Sequence, residues 1–437
     1  MKGKTKLLKM AGAFVLVLAL LAGCGGGAPT PLPPAAEIPP PEIEEVEQVN
    51  LTFATSVYTE AAHRDVINRL VYAYAAQVPH VTITVVELSA DQEADIVHVN
   101  PSHLARYNIL NPEDAFVDLA PRFARTNFLQ NLMGQEALVT NDQIFAMSNY
   151  AFSTTAIFYR RSKLEEMSID PSGIRIHEDF REAALRLANN GGYAMGVTQG
   201  ADEFSSLIAR PVSGGLYFSD EAPPFTAENV NINAPENIWA ANLWQDWVVT
   251  DRLFNMVYNR NYARELFWNG DVAFNIDGPE FINMTNERDP ALLDDIGIIP
   301  QFNLMFAGRM AIPNPSVELL VTMLSQNSAH QEEAWDFMLW MTGDGAQWLI
   351  SHSGMVPSSR SFAAMEVYRE NNPLESQFFN FMVNYYGPLL LDPFIPEMDD
   401  IKAVLQEAAE RMFSSEAADV ETEMNAAQAR VQEIMES

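Results

Sequence analysis

The spacing of apolar residues in the first part of the chain changes repeatedly between that of a strand and that of a helix. Short segments rich in β-branched residues predict strands at 50–55, 81–88 and 94–99. Between the first two, apolar residues recur at helical spacing and predict a helix over 61–77 that ends before Pro79. A strand, a helix and two further strands in this order predict an α/β unit with a parallel sheet.

The link between the second and third predicted strands is unusually short. Only the sequence SADQEA, residues 89–94, joins them. A crossover between parallel strands normally needs about a dozen residues or more, usually including a helix. Either a bare loop replaces the crossover helix, or the strands pair in an unusual way.

The alternation of strands and helices continues to the end of the chain. Further strands are predicted at 143–148, 155–159, 193–198, 272–276 and 296–299. Helices are predicted at 179–190, around Trp239–Trp247, near 259–268, after a capping box at Ser328–Gln331, and over two amphipathic segments between 401 and 427. The pattern indicates an α/β fold throughout residues 50–437.

The first 49 residues carry a different pattern. Four lysines precede a short apolar run at 10–22, which falls short of the roughly 20 residues that a membrane-spanning helix needs. Leu21-Ala22-Gly23-Cys24 resembles the lipobox of bacterial lipoproteins, in which the cysteine thiol takes a diacylglycerol. We expect a signal peptide at 1–23, a lipid on Cys24 that holds the protein at the extracytoplasmic face of the cell membrane, and an extended linker at 24–49. An ordinary secreted protein with a chance cysteine is the alternative.

The composition of the chain limits the classes of function that it can have. The 437-residue chain has 58 acidic and 26 basic residues, a net charge of −32, and such a surface repels nucleic acid and anionic lipid. Cys24 is the only cysteine, so neither a disulfide nor a cysteine-bearing metal site is expected. The sequence has no HExxH, GxSxG, P-loop or GxGxxG motif. We therefore expect no metal, no cofactor and no enzymatic activity, although a glycosidase pair among the many carboxylates stays open.

Several short segments, in order along the chain, carry a resemblance to a known family. They are PHVTITV at 79–85, ADIV at 94–97, FVDLAP at 116–121, FYRRSKL at 158–164, FWNGDVAFNIDGP at 267–279, EAWDFMLWM at 333–341, Ala346-Gln347, and GMVP at 354–357. In this order, and behind a lipobox, they resemble the family 1 extracellular solute-binding proteins of bacterial ABC importers, the group that contains maltose-binding protein. The resemblance covers essentially all of residues 50–437.

The resemblance implies an α/β, two-lobed, periplasmic-binding-protein-like type II fold, with central sheets flanked by helices and joined by crossed hinge strands. Lobe 1 would comprise 50–152 and 302–342, and lobe 2 would comprise 153–301 and 343–437. The hinge would lie near Tyr150–Thr155, Pro300–Asn303 and Met341–Asp344. A solute bound in the cleft would shift the hinge equilibrium toward closure.

Strand positions and the resemblance together give a set of candidate ligand-binding residues. Three follow predicted strands, because ligands gather at the carboxyl ends of strands in open α/β sheets. Two more occupy the turn that follows residues 267–276 in the family pattern, and one lies in a loop that often contacts ligand in that family. The last two are tryptophans, which could stack on a sugar ring but could equally belong to the hydrophobic core. In that order they are Ser56, Tyr58 and Asn100; Asp277 and Glu280; Arg309; and Trp239 and Trp268.

Departures from the family pattern bear on the ligand. His177 stands where the family has a tryptophan, Glu280 replaces a frequent aromatic, and the region 396–401 has no aromatic residue. We expect a small polar solute, with a sugar or oligosaccharide favoured, that a monomeric receptor delivers to the permease subunits of an ABC importer. A surface lipoprotein that hydrolyses glycans, and a binding lipoprotein that serves a sensor, are the alternatives.

Overall fold

Two separate β-sheets organise the part of the chain that the structure describes. The computed structural model describes residues 47–436 except 91, 127, 141, 189–191, 200, 214–215, 220–224, 316, 388–391 and 394. The predicted signal peptide, Cys24 and most of the predicted linker lie outside the described residues. No helix among the described residues has the length and apolar character needed to cross a membrane.

Strands and helices are mixed along the chain, as predicted, but the strands at 254–257 and 317–324 are absent from the prediction. The strands are β1 (Val49–Thr55), β2 (Val81–Glu87), β3 (Ile96–Val99), β4 (Val139–Thr140), β5 (Gln143–Ile144), β6 (Met147–Thr154), β7 (Ala156–Arg160), β8 (Met195–Thr198), β9 (Phe254–Val257), β10 (Phe274–Asp277), β11 (Ile296–Ile299), β12 (Leu304–Phe306), β13 (Arg309–Ala311), β14 (Val317–Leu324) and β15 (Val356–Pro357). The helices of the first half are α1 (Ala61–Gln77), α2 (Pro112–Ala115), α3 (Ala120–Phe123), α4 (Arg161–Glu166), α5 (His177–Ala188), α6 (Asp202–Phe204), α7 (Arg210–Ser213) and α8 (Pro235–Gln245). Those of the second half are α9 (Arg260–Asn269), α10 (Glu280–Arg288), α11 (Gln331–Trp340), α12 (Asp344–Ile350), α13 (Arg360–Ala363), α14 (Glu366–Asn371), α15 (Glu375–Asn384), α16 (Met398–Met412) and α17 (Val420–Glu436).

The first sheet has the strand order β15-β6-β14-β3-β1-β2. Strand β1 pairs in parallel with β2 on one side and with β3 on the other, whereas β14 pairs antiparallel with both β3 and β6. Helix α1 makes the crossover from β1 to β2 and buries Val66, Ile67, Leu70 and Tyr74. This is the βαβ unit that the sequence predicts.

The described residues of the short link between β2 and β3 form no helix, which agrees with a bare loop, one of the two possibilities that the sequence leaves open. Strand β2 ends opposite Thr55 of β1, and β3 begins opposite Phe53. The loop therefore has to run back along β1 by only about two residues while it crosses from one side of β1 to the other. Its two ends are fixed to β1, since Leu88 N donates to Thr55 O and Asp95 N donates to Thr52 O, at 2.9 and 3.0 Å.

The second sheet has the strand order β11-β7-β10-β8-β9. Strand β8 pairs in parallel with β9 and β10, and β7 pairs antiparallel with β10 and β11. A core of buried side chains covers this sheet and includes Met195 and Phe274 together with Met398, Leu405 and Met424 from α16 and α17. The C-terminal helices therefore pack with the second sheet.

The chain passes directly from one sheet to the other at Thr155. Strand β6 ends in the first sheet at Thr154, and β7 begins in the second sheet at Ala156. The chain returns between β11 and β14. The predicted lobe boundaries stay a prediction, and one pairing bears on them: Val356 pairs with Phe152 in the first sheet, whereas the sequence places 343–437 in lobe 2.

Candidate functional site

A cavity of about 400 Å³ has walls from both sheets. On the second sheet the lining residues follow the carboxyl ends of β8, β9 and β10, which is where parallel strands present a shared binding edge. The first sheet contributes the residues after β3, the end of β6 and the beginning of β14. The remaining wall comes from Arg210, Tyr217, Asp392 and α16. The polar lining residues used below are Asn100, Ser153, Thr155, Ser206, Arg210, Arg260, Glu280, Glu318 and Lys402.

Hydroxyl groups cover the side of the cavity where the chain crosses between the sheets. The hydroxyls of Thr155 and Ser206 lie 3.0 Å apart, and the amide nitrogen of Gln301 donates to them at 2.7 and 3.2 Å respectively. The Tyr386 hydroxyl donates to the backbone carbonyl of Thr155 at 3.0 Å. Among the described residues, the buried Oε1 of Gln301 has no hydrogen-bond partner. These bonds fix the crossing segment and leave polar groups at the cavity wall.

A second wall carries carboxylates. Glu280 accepts a hydrogen bond from the Ser153 hydroxyl at 3.1 Å and keeps 37% of its side chain exposed. Glu318, on β14, pairs across the strands with Ser153 and is exposed. Burial, and then the negative charge of Asp277, raise the pKa of Glu280 to about 7. This carboxyl group therefore changes its charge near neutral pH.

A third wall combines cations with one carboxylate. The Arg210 guanidinium, only 4% exposed, is hydrogen-bonded to Asp392, whose other oxygen lies 2.5 Å from the Lys402 ammonium. Burial alone would raise the pKa of Asp392, but Arg210 and Lys402 lower it below its ordinary value. This wall thus presents two cationic groups, Arg210 and Lys402, whose positive charge is partly balanced by Asp392.

Two of the eight candidate ligand-binding residues, Asn100 and Glu280, line this cavity. The Asn100 side chain also accepts hydrogen bonds from the backbone and hydroxyl of Ser102, at 3.1 and 3.0 Å, and so caps the turn that follows β3. Ser56 and Tyr58 follow β1 and are partly exposed, but they are not among the residues that line the cavity. Their role as ligand contacts stays a prediction.

Four further candidates lie outside the cavity lining, and their role as ligand contacts stays a prediction. Asp277 is fully buried behind Gly278 and is bound to Arg264. The Trp268 ring stacks on Phe281 at 5.3 Å and donates from Nε1 to Thr285 at 2.8 Å. Its π-face also receives the Arg288 guanidinium at 4.8 Å, so this tryptophan is occupied by packing. Neither of these two residues lines the cavity.

Trp239 and Arg309 also lie outside the cavity lining. The Trp239 ring packs against Phe306, with ring centroids 5.1 Å apart, and joins the core of the second sheet. Arg309 is exposed in the β12–β13 hairpin, opposite Phe306. The contact between Trp239 and Phe306 joins α8 to this hairpin.

Sequence reasoning missed several residues that do line the cavity. Glu318 had a usable signal, because it is the only charged residue in the largely apolar strand VELLVTML. Ser205 and Ser206 lie in a π-helical turn, Ser205–Ala209, that local patterns do not predict. Lys402 reaches the cavity from the C-terminal helices, a placement that depends on long-range packing. Within the described residues, no group of three or more potential metal ligands comes together.

Two α/β sheets joined by crossing segments, with a polar cavity between them, define a class of two-lobed binding proteins. The chain belongs to the bacterial extracellular solute-binding protein family, whose model matches residues 61–348. No curated protein sequence matches the chain.

Solved structures of sugar-binding proteins share this fold. The sugar-binding protein MalE from Xanthomonas citri is 15% identical, with a TM-score of 0.72 over 89% of this chain and 98% of that chain. The cyclic α-maltosyl-1,6-maltose binding protein from Arthrobacter globiformis is 16% identical, with a TM-score of 0.71 over 89% and 99%. The maltotriose-binding protein from Thermus thermophilus, bound to maltotriose, is 15% identical, with a TM-score of 0.64 over 88% and 99%. The predicted family and the predicted two-lobed α/β fold are confirmed.

Proposed function

We propose that this protein binds a sugar or oligosaccharide in the cavity between its two sheets and delivers it to an ABC importer. The observation that carries the proposal is the cavity itself, whose walls come from both sheets and are rich in hydroxyl, amide and carboxylate groups. The named carbohydrate ligands of the structural relatives support the choice of a sugar.

The lining suits a polyhydroxylated ligand. Each sugar hydroxyl can donate one hydrogen bond and accept others. Carboxylates such as Glu318 accept from it through charge-assisted bonds, while Lys402 can donate to it. The hydroxyls of Thr155 and Ser206 can do either. A ligand held by all of these groups would make contacts to both sheets at once.

Contacts to both sheets provide a signal of occupancy. The sheets are connected where the chain crosses between them, at Thr155 and between β11 and β14. A solute that touches both walls stabilises the closed arrangement relative to an open one, because it has a higher affinity for the closed state. The permease subunits of the importer would then recognise the closed form.

The N-terminal sequence supports a location for this receptor. The lipobox cysteine, Cys24, would carry the lipid, and the Gly- and Pro-rich linker would hold the domain near the membrane face. Tethering raises the effective concentration of a monomeric receptor at its importer. Membership of an extracellular family agrees with this location.

A thermal-shift and calorimetry panel tests the proposal. The native protein is screened against monosaccharides, oligosaccharides, amino acids and polyamines, since a ligand that binds only the folded state raises the melting temperature. We expect a saccharide to bind, and Glu318→Gln to weaken its affinity roughly tenfold through loss of a charge-assisted hydrogen bond. Glu366→Gln, an exposed acid on α14, is the matched control and should leave affinity unchanged.

Two outcomes would overturn the proposal. Binding of amino acids or polyamines without any saccharide would assign a different solute class. Release of shorter products from an oligosaccharide would favour the glycan hydrolase, and loss of that turnover in Glu280→Gln would identify its acid.

A further inference from the structure

Two exposed tyrosines, which lie two residues before and two residues after the cavity-lining Arg260, stack on each other. Tyr258 is 74% exposed and Tyr262 is 41% exposed, and their ring centroids lie 5.4 Å apart with an interplanar angle of 25°. Single exposed apolar side chains are common on protein surfaces and need no explanation. A stacked pair is different, because it presents a joined and pre-organised aromatic surface to solvent.

The local backbone ties this pair to the cavity. Between the two tyrosines, Asn259 caps α9 by accepting from the Tyr262 backbone N–H at 2.9 Å. Arg260, the first residue of α9, lines the cavity. Each tyrosine is two residues from Arg260, so its Cα lies within about 8 Å of the Arg260 Cα. The pair follows the carboxyl end of β9, the same edge of the sheet from which Gly278 and Glu280 line the cavity.

We propose that Tyr258 and Tyr262 form an outer subsite on which a sugar ring stacks where an oligosaccharide extends beyond the cavity. The proposal rests on the sugar-binding function proposed above. A pyranose has a flat face of C–H groups, which packs on an aromatic face, and tyrosine offers a large rigid surface with little conformational entropy to lose. The cavity supplies hydrogen bonds but few open rings, so the tyrosines add the apolar contact that it lacks.

The size of the cavity supports an extended ligand. Its volume of about 400 Å³ is near the lower end of the roughly 300–1,000 Å³ typical of small-molecule sites. A longer saccharide would therefore continue outside the enclosed space.

A purely structural role makes a different prediction. A side chain just before a helix N-cap can pack on the first turn of the helix and so fix the angle at which the chain enters it. In that case Tyr258→Ala would lower the melting temperature and change the affinity for saccharides of every length equally, or not at all. An outer subsite instead makes the effect depend on ligand length.

The test is calorimetric titration of the full protein with maltose through maltoheptaose and with cellobiose through cellohexaose. We expect the double variant Tyr258→Ala/Tyr262→Ala to bind the shortest bound saccharide within about twofold of wild type, and the longest roughly five- to tenfold more weakly. Tyr258→Phe, which keeps the ring, should retain wild-type affinity at all lengths. Tyr72→Ala, at an 80%-exposed tyrosine on α1, is the matched control.

The outcomes separate the two proposals. If wild type binds saccharides and the double variant shows no dependence on length, the outer subsite is wrong while the proposed function stands. If wild type binds no saccharide of either series, both proposals fail for these sugars.

Discussion

Arg264 makes two hydrogen bonds to Asp277, each 2.7 Å long, and lies 3.8 Å from Glu280. The guanidinium therefore neutralises the fully buried Asp277 and gives Glu280 only a weaker interaction. Glu280, at the cavity wall, is left beside a carboxylate in a partly desolvated place. Its raised pKa follows from this arrangement, and so does a dependence of stability on pH.

We predict that Glu280→Gln stabilises the protein above neutral pH. Glu280 has a folded-state pKa of about 7 against an ordinary value of 4.5, so between these values the folded protein holds a proton that the unfolded chain has released. This contribution lowers stability as the pH rises through that window. Melting temperatures at pH 5 and pH 8 should show the variant gaining on wild type with increasing pH.

Glu366→Gln serves as the control for that measurement, because Glu366 is exposed on α14. It should follow wild type at both pH values. An advantage of Glu280→Gln that is the same at pH 5 and pH 8 would contradict the assignment of the raised pKa to this residue.

Arg264→Ala should destabilise the protein strongly. The substitution leaves Asp277, which is 0% exposed, without its main partner, and removal of one member of a buried ion pair typically costs about 3–5 kcal/mol. Arg69→Ala is the matched control, since Arg69 and Asp65 form a pair that is 53% and 61% exposed and should contribute less than about 1 kcal/mol. Urea unfolding at pH 7 compares them, and equal losses would show that Arg264 does not neutralise Asp277.

Two buried histidines make the first sheet sensitive to acid. His63 Nδ1 lies 3.0 Å from the Tyr150 hydroxyl, and the His98 ring packs edge-on against Tyr150 at 4.5 Å. Burial lowers the pKa of His63 to about 4 and that of His98 to about 3, from an ordinary 6.5. Below pH 6.5 these two histidines therefore bind protons in the unfolded chain but stay neutral in the folded protein.

We predict that the contribution of His63 to stability falls by roughly 3 kcal/mol as the pH drops from about 6.5 to 4, against an opposite contribution of Glu280 over the same range. His63→Gln keeps a hydrogen-bonding group near Tyr150 and should make the stability curve shallower over this range. His352→Gln, at an exposed histidine, should leave the slope unchanged. Chemical unfolding at half-unit pH steps measures the slope of the unfolding free energy against pH. Identical slopes in all three proteins would show that His63 does not cause the pH dependence.

The sequence predicts elements better than it predicts the site. Helix α1 has the predicted bounds, because its apolar face and the proline that follows are local signals. Local signals also mislead: Ser328 fits a capping box, but its hydroxyl donates to Asp95 near β3 and the helix begins at Gln331 without a side-chain cap. Trp268 could not be assigned to packing from the sequence, because Phe281 and Arg288 meet it only in the folded protein.

The cavity lining shows the same limit. Asn100 and Glu280 follow predicted strands or a family motif, and both line the cavity. Lys402 meets Asp392 and Arg210 only because α16 packs with the second sheet. Such contacts depend on which sheet a helix packs against, and no local sequence pattern encodes that packing.

Gly278 is the position where one added methyl group tests the cavity most directly. A Cβ at Gly278 would meet the Glu280 carboxylate and come within 2.6 Å of the Ser153 hydroxyl. Gly278→Ala should therefore displace both side chains and break their 3.1 Å hydrogen bond. Since these groups line the cavity, we expect saccharide affinity to fall at least about tenfold, on the scale of one lost charged hydrogen bond.

Gly173→Ala is the control, because a Cβ there meets no atom within 4 Å. It should leave both affinity and melting temperature close to wild type. Circular dichroism and thermal melts separate a local change at the cavity from general unfolding, since the former leaves the cooperative transition intact. A folded Gly278→Ala protein that binds saccharides as tightly as wild type would show that the wall formed by Ser153 and Glu280 does not contact the ligand.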